Sequence, residues 1–115
     1  MYTRILVPLD GSKLAEQVVP YVRFLGAGLH SKVDLLQVIE PFFYRPSEPV
    51  QGRYLDQIAA NARTYANDYL NKVAAPLKKG GLAVSCEAIE GILADYIVAS
   101  ASKSQDTLIA MSTHG

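Results

Sequence analysis

The run Arg4-Ile5-Leu6-Val7-Pro8-Leu9 is short, almost continuously apolar and closed by Asp10-Gly11-Ser12, and it restricts the fold more than any other feature of the chain. A strand with one wet face alternates apolar and polar residues. A strand without that alternation is covered on both faces, as in parallel sheets with helices packed above and below. From Ser12 the apolar period lengthens to that of a helix, with Leu14, Val18, Val22 and Leu25 on one face and Gly26 and Gly28 supplying a stop. Pro20 falls inside that helix, where a proline costs about 3 kcal/mol and bends the axis. A kink near residues 16–20 is therefore expected, not a break.

Val33-Asp34-Leu35-Leu36-Gln37-Val38-Ile39 repeats the pattern of a covered strand. The following residues, up to Gly52, carry Pro41, Pro46 and Pro49 together with Phe42, Phe43 and Tyr44, a loop of the kind that serves as a lid or contact surface. A long amphipathic helix is predicted from about Arg53 to Lys78, its apolar face traced by Leu55, Ile58, Ala62, Ala66, Tyr69, Val73 and Leu77, with Gly80-Gly81 as its stop. Residues 82–89 read as a third strand, 92–102 as a third helix entered from Gly91, and 107–112 as a fourth strand. The alternation βαβαβαβ predicts a three-layer α/β/α open parallel sheet of Rossmann-like type, joined by right-handed crossovers. At 115 residues the chain is expected to form a single domain over 1–115.

Charge and cysteine usage narrow the partners. Lys and Arg together number 11, as do Asp and Glu, so no overall field attracts a polyanion or an anionic membrane, and neither nucleic acid nor membrane is expected as a partner. Cys86 is the lone cysteine and has no internal disulfide partner. It alternates with Leu82 and Val84 and reads as a small buried hydrophobe. The chain has neither a signal-peptide pattern nor an apolar run near the roughly 20 residues that span a bilayer, so a cytoplasmic protein is expected.

In an open parallel sheet the ligand lies beyond the carboxyl ends of the strands, where the chain reverses direction. With strand one central and strands two and four beside it, Pro8, Leu9, Asp10, Gly11 and Ser12 face Met111 to Gly115 across such a crevice, with Val38 and Ile39 alongside. Asp10 suits a ribose or amine as an acceptor and equally suits a helix N-cap. Ser12 reads more readily as the cap, and Gly91 as a turn glycine. The backbone of Val38 is placed to read a base edge, and glycine at 115 lets backbone approach a phosphate closely.

Named catalytic chemistries lack their parts. Neither Gly-x-Gly-x-x-Gly nor Gly-x-x-x-x-Gly-Lys-Ser/Thr follows strand one, and strand three ends at Ile89-Glu90 without the aspartate that a phosphoacceptor site needs. His114 with Asp10 and Ser12 lacks a Gly-x-Ser-x-Gly elbow. His30, His114 and Cys86 show no metal-ligand spacing, so no metal site is expected.

Arg4 to Ser12, Leu35-Leu36-Gln37-Val38-Ile39-Glu40, Glu90-Gly91 and Leu108-Ile109-Ala110-Met111-Ser112-Thr113-His114-Gly115, in that order and spacing, resemble the universal stress protein family over the whole chain. The resemblance implies an adenine-nucleotide alpha-hydrolase-like fold with strand order 3-2-1-4-5, a homodimer, and in one subclass ATP or a related adenine nucleotide such as AMP as ligand. It implies that Asp10 contacts the nucleoside, Pro8 and Leu9 flank the adenine, Val38 reads the base through its backbone and Met111 lines the pocket. Gly115 takes the place of the first glycine of the phosphate loop. The family loop continues with further glycines, a Ser or Thr, a helix and a fifth strand. The expectation is thus a C-terminally incomplete domain of order 3-2-1-4 without the fifth strand. It is expected to act without catalysis in the stress response and to bind ATP weakly or not at all. Self-association or docking of a protein partner through strand four and the Phe42-Phe43-Tyr44 loop, with no nucleotide bound, is the competing expectation.

Overall fold

The computed structural model describes residues 2–40, 52–103 and 105–112. Strands β1 (Arg4–Pro8), β2 (Lys32–Ile39), β3 (Val84–Glu90) and β4 (Thr107–Ile109) form one parallel sheet in the order β3-β2-β1-β4. Helices α1 (Lys13–Glu16), α2 (Val19–Leu29), α3 (Gly52–Lys79) and α4 (Leu93–Lys103) make the crossovers. The expected open parallel sheet of order 3-2-1-4 is the observed one.

Alternation along the strands separates two faces. Ile5, Val7, Leu9, Val33 and Leu35 point to one side, where they form the core with Ala15, Val22, Leu70, Ala74 and Leu77 of the first three helices. Leu6 and Leu36, equally buried, point to the other. That second face carries α4, whose Tyr96 hydroxyl lies 3.5 Å from Glu87 Oε2. Burial on both sides is the physical content of the uninterrupted apolar runs.

A polar cluster interrupts the second face. Asp34 accepts hydrogen bonds from Arg4 Nε and Ser85 Oγ, and Lys32 Nζ stands 3.8 Å from its other side. Register brings these residues together, since Leu6 pairs with Asp34 and Asp34 with Ser85 across three adjacent strands. Burial pushes the Asp34 carboxyl up, but the hydrogen bonds from Ser85 and Arg4 and the charges of Arg4 and Lys32 outweigh it and hold the carboxyl below its ordinary value.

The first crossover departs from expectation at Pro20. Residues 17–18 separate α1 from α2, so the chain breaks where a kink was expected. Pro20 then sits in the first turn of α2, where its missing N–H has no intrahelical acceptor and its fixed φ suits the helix. The break resets the phase: Ala15, Val22 and Gly26 face inward, whereas Leu14 and Leu25 are exposed. Nor do Gly26 and Gly28 stop the helix, which ends at His30 in the left-handed region at φ 55°. Gly26 is a close-approach residue, for a Cβ there would lie 3.2 Å from Leu82 Cδ2 and 3.4 Å from Val33 Cγ2.

The long helix α3 buries Ala66, Leu70, Ala74 and Leu77, with Tyr69 and Val73 half-buried beside them. Leu70 and Ala74 were absent from the expected face, and the side chain of Leu55 lies outside the described set, as do residues 41–51 with Phe42, Phe43 and Tyr44. Strand β4 spans three residues, shorter than the predicted 107–112. One further hydrogen bond, from the Ala110 N–H to the Leu6 carbonyl at 3.0 Å, keeps the chain beside β1.

Candidate functional site

The crevice is built at the carboxyl end of β1. The Leu9 N–H donates to the Leu36 carbonyl at 2.7 Å, holding the chain in register one residue past the strand. It then turns through Gly11, whose φ of 88° is a conformation that only glycine adopts without strain. Asp10 Oδ1 accepts from the Ser12 N–H at 2.8 Å, and Ser12 Oγ accepts from the Ala15 N–H at 3.1 Å, capping α1. Ser12 is therefore the cap and Asp10 the residue that folds the turn back on itself, an Asx turn that leaves its carboxylate exposed.

Register places the other candidates. Leu6 pairs with Ile109 and Pro8 with Leu36, so continuing both ladders by two residues sets Met111 beside Pro8 and Val38 one step beyond it. Pro8, Val38 and Met111 share the sheet face of Leu6 and Leu36, at its carboxyl end. Met111 is exposed and Val38 half-buried. The Leu36 carbonyl is used toward β1 and the Ile39 carbonyl, which accepts from the Gly91 N–H at 3.0 Å, toward β3. Alternation then turns the peptide groups of Val38 toward β1, past the level at which that strand has ended.

Leu9 is the exception among the sequence candidates. Its side chain is buried in the core with Ile5 and Val7 on the opposite face, so only its backbone borders the crevice. Gly115, with Thr113 and His114, lies outside the described residues.

Two features outside the candidate residues had different visibility in the sequence. Tyr69, on α3 and 59 positions from Asp10, brings its hydroxyl beneath the β1–α1 turn, near Glu16, Asp10 and the Gly11 backbone. The hydroxyl oxygen is buried without a partner in hydrogen-bonding geometry. Burial first, then the Glu16 carboxylate, pushes the phenol up to about 12. No spacing rule links residues that far apart. The Asp34 cluster, by contrast, had a signal: a carboxylate in a strand covered on both faces needs a partner.

Other chemistry is sparse. Cys86 is half-buried on the core face and burial raises its thiol pKa, which suits packing and not nucleophilic reactivity. Among the described residues no three His, Cys, Asp or Glu side chains converge as metal donors, and no helix is long and apolar enough to cross a membrane.

Comparison with known proteins agrees with this architecture. A profile of the Universal stress protein family matches residues 1–115. Universal stress protein MJ0531 of Methanocaldococcus jannaschii is 26% identical over 117 residues, taking in 100% of this chain and 66% of that protein. The chain thus spans just under two thirds of that relative's length. Universal stress protein UspA from Lactobacillus plantarum superposes with a TM-score of 0.80 at 21% identity, over 95% of this chain and 75% of its own. A universal stress protein in complex with cAMP gives a TM-score of 0.64 at 19% identity, over 94% of this chain and 70% of its own. Those two structures share the fold. With the profile match running from the first residue to the last, the chain belongs to the universal stress protein family.

Proposed function

We propose that this chain is a stress-response domain that acts by binding an adenine nucleotide, without catalysis, at the carboxyl ends of β1, β2 and β4. The observation that carries the reading is the convergence of Pro8, Val38 and Met111 on one sheet face beside the exposed carboxylate of Asp10. An apolar strip bordered by a strand-end peptide suits a base, and a carboxylate at the next turn suits a ribose hydroxyl. The cAMP complex of a relative with the same fold supports this ligand class.

Pro8, Val38, Met111 and Asp10 are read as contacts to the nucleoside, the part that AMP, ATP and cAMP share. The chain is therefore expected to bind all three. Calorimetric titration tests this: binding of none of the three at millimolar concentration would overturn the nucleotide reading. Asp10→Asn keeps an acceptor for the Ser12 N–H, so a loss of nucleotide affinity in that variant would report ligand contact and not misfolding.

A second reading, self-association along β4, is favoured by the position of that strand at an edge of the described sheet with Leu108 and Ile109 half-buried. Sedimentation at several protein concentrations tests it, a strict monomer counting against it.

A further inference from the structure

The outer side of α2 is apolar where solvent should favour polar residues. Val22 and Gly26 face the core, yet Tyr21 and Phe24 are 70% and 81% exposed and Leu25 is 37% exposed. With Gly28 these residues fall at i, i+3, i+4 and i+7, a continuous second stripe along the helix. Single exposed apolar residues need no explanation, but a contiguous set marks an interaction surface.

Beside the stripe runs a groove between α2 and the end of α3. One part is lined by Pro20, Phe24, Ala27, Gly28, Gly80 and Leu82, with Arg23 over Gly80, and the next part, sharing Pro20, by Val19, Val73, Pro76 and Lys72. A Cβ at Gly28 would meet nothing within 4 Å, so the helix backbone is open to a guest there.

Charge identifies the guest. The two segments that build the walls, residues 17–31 and 69–86, contain no Asp or Glu, while they carry Arg23, Lys72, Lys78 and Lys79. In a chain whose acids and bases balance, that is a local cationic field around an apolar slot. Among the described residues no carboxylate pairs with Arg23 or Lys72. Glu16 is the one acid lining the groove, at its end beside Tyr69.

We infer that the α2–α3 groove docks an acidic peptide segment of a partner protein, its bulky apolar side chains packing against Phe24 and the Gly28–Gly80 floor while its carboxylates face Arg23 and Lys72. This surface lies on the helix-covered core side of the sheet, the face opposite Pro8, Val38 and Met111. Docking therefore does not depend on nucleotide.

The test uses the 115-residue chain, labelled with 15N, and three probes: a synthetic amphipathic peptide with Leu and Phe anchors and Glu at the remaining positions, the same peptide with Lys for Glu, and a single-stranded oligonucleotide. The acidic peptide should shift amide signals of residues 21–28 and 77–82, bind at least about tenfold more tightly than the basic one, and weaken with added salt. Phe24→Ala and Gly28→Glu should each reduce its affinity about tenfold, and Gly28→Glu sits where added atoms have room and improves helix propensity, so it should fold. Equal binding of both peptides, equal binding of the oligonucleotide at these residues, or shifts elsewhere would overturn the proposal. So would no binding of the acidic peptide, or a Phe24-dependent dimer in sedimentation.

Discussion

Asp34 offers the sharpest test of how the sheet is held together. The substitution Asp34→Ala removes the acceptor of hydrogen bonds from Arg4 and Ser85 and leaves the guanidinium without its carboxylate. Hydrogen bonds to a charged group contribute about 1.5–3 kcal/mol each. The side chains retain 16% exposure at Asp34 and 30% at Arg4, so solvent screens part of the attraction and hydrates part of the orphaned cation. The expected loss is about 2–3 kcal/mol, roughly 30- to 150-fold in the unfolding equilibrium. In urea, with a slope near ~1.5–2 kcal/mol per molar, the midpoint should fall by about 1–2 M.

The same experiment carries a pH signature. Because the folded carboxyl titrates below its ordinary value, the stability it contributes is present above the unfolded pKa, near ~3.9, and is lost as pH falls through the lower folded value. The gap between the native protein and Asp34→Ala should therefore be constant at neutral pH and narrow in acid. Asp34→Asn, which keeps an acceptor for Ser85, should fall between the two at neutral pH. A loss below about 0.5 kcal/mol at neutral pH, typical of a solvated surface site, or a gap that stays constant into acid, would refute the reasoning.

Pro20→Ala should change stability by less than about 1 kcal/mol, because the proline occupies the first turn of α2 and not a helix interior; a thermal melt showing stabilisation near ~3 kcal/mol would mean the interior reading was right. Tyr69→Phe should be neutral or stabilising by up to about 1 kcal/mol, since it deletes a buried hydroxyl without a hydrogen-bond partner. The phenolate absorbance lost in Tyr69→Phe should be the part that titrates near pH 12; loss of a component near the ordinary value would contradict the burial of that hydroxyl. Leu70→Ala should cost about 2–5 kcal/mol in chemical denaturation, as expected for a fully buried leucine between α3 and the sheet. A cost under 1 kcal/mol would show that the cavity collapses.

The fold class was legible because it depends on local period. Four short apolar runs alternating with helical stretches define covered parallel strands, and the Gly11 turn and Ser12 cap are written in adjacent residues. The ends and phases of elements were less legible. Pro20 reads as a kink in an uninterrupted helix only if α1 and α2 are one, and once they separate, the inward face moves from Leu14 and Leu25 to Ala15, Val22 and Gly26. Gly26 reads as a helix stop by its residue type, yet it is kept small by Leu82, a residue 56 positions away.

The sequence by itself determined the layers, the parallel order of elements and the turn that presents Asp10, since each follows from periodicity and from the chemistry of neighbouring residues. Only the tertiary structure decided which candidates share a surface. Register set Pro8, Val38 and Met111 on one face and turned Leu9 into the core. Packing brought Tyr69 beneath Asp10, and the sheet closed Arg4, Asp34 and Ser85 into one cluster. Strand pairing and helix docking join residues tens of positions apart, and one step of register reverses which face a side chain occupies.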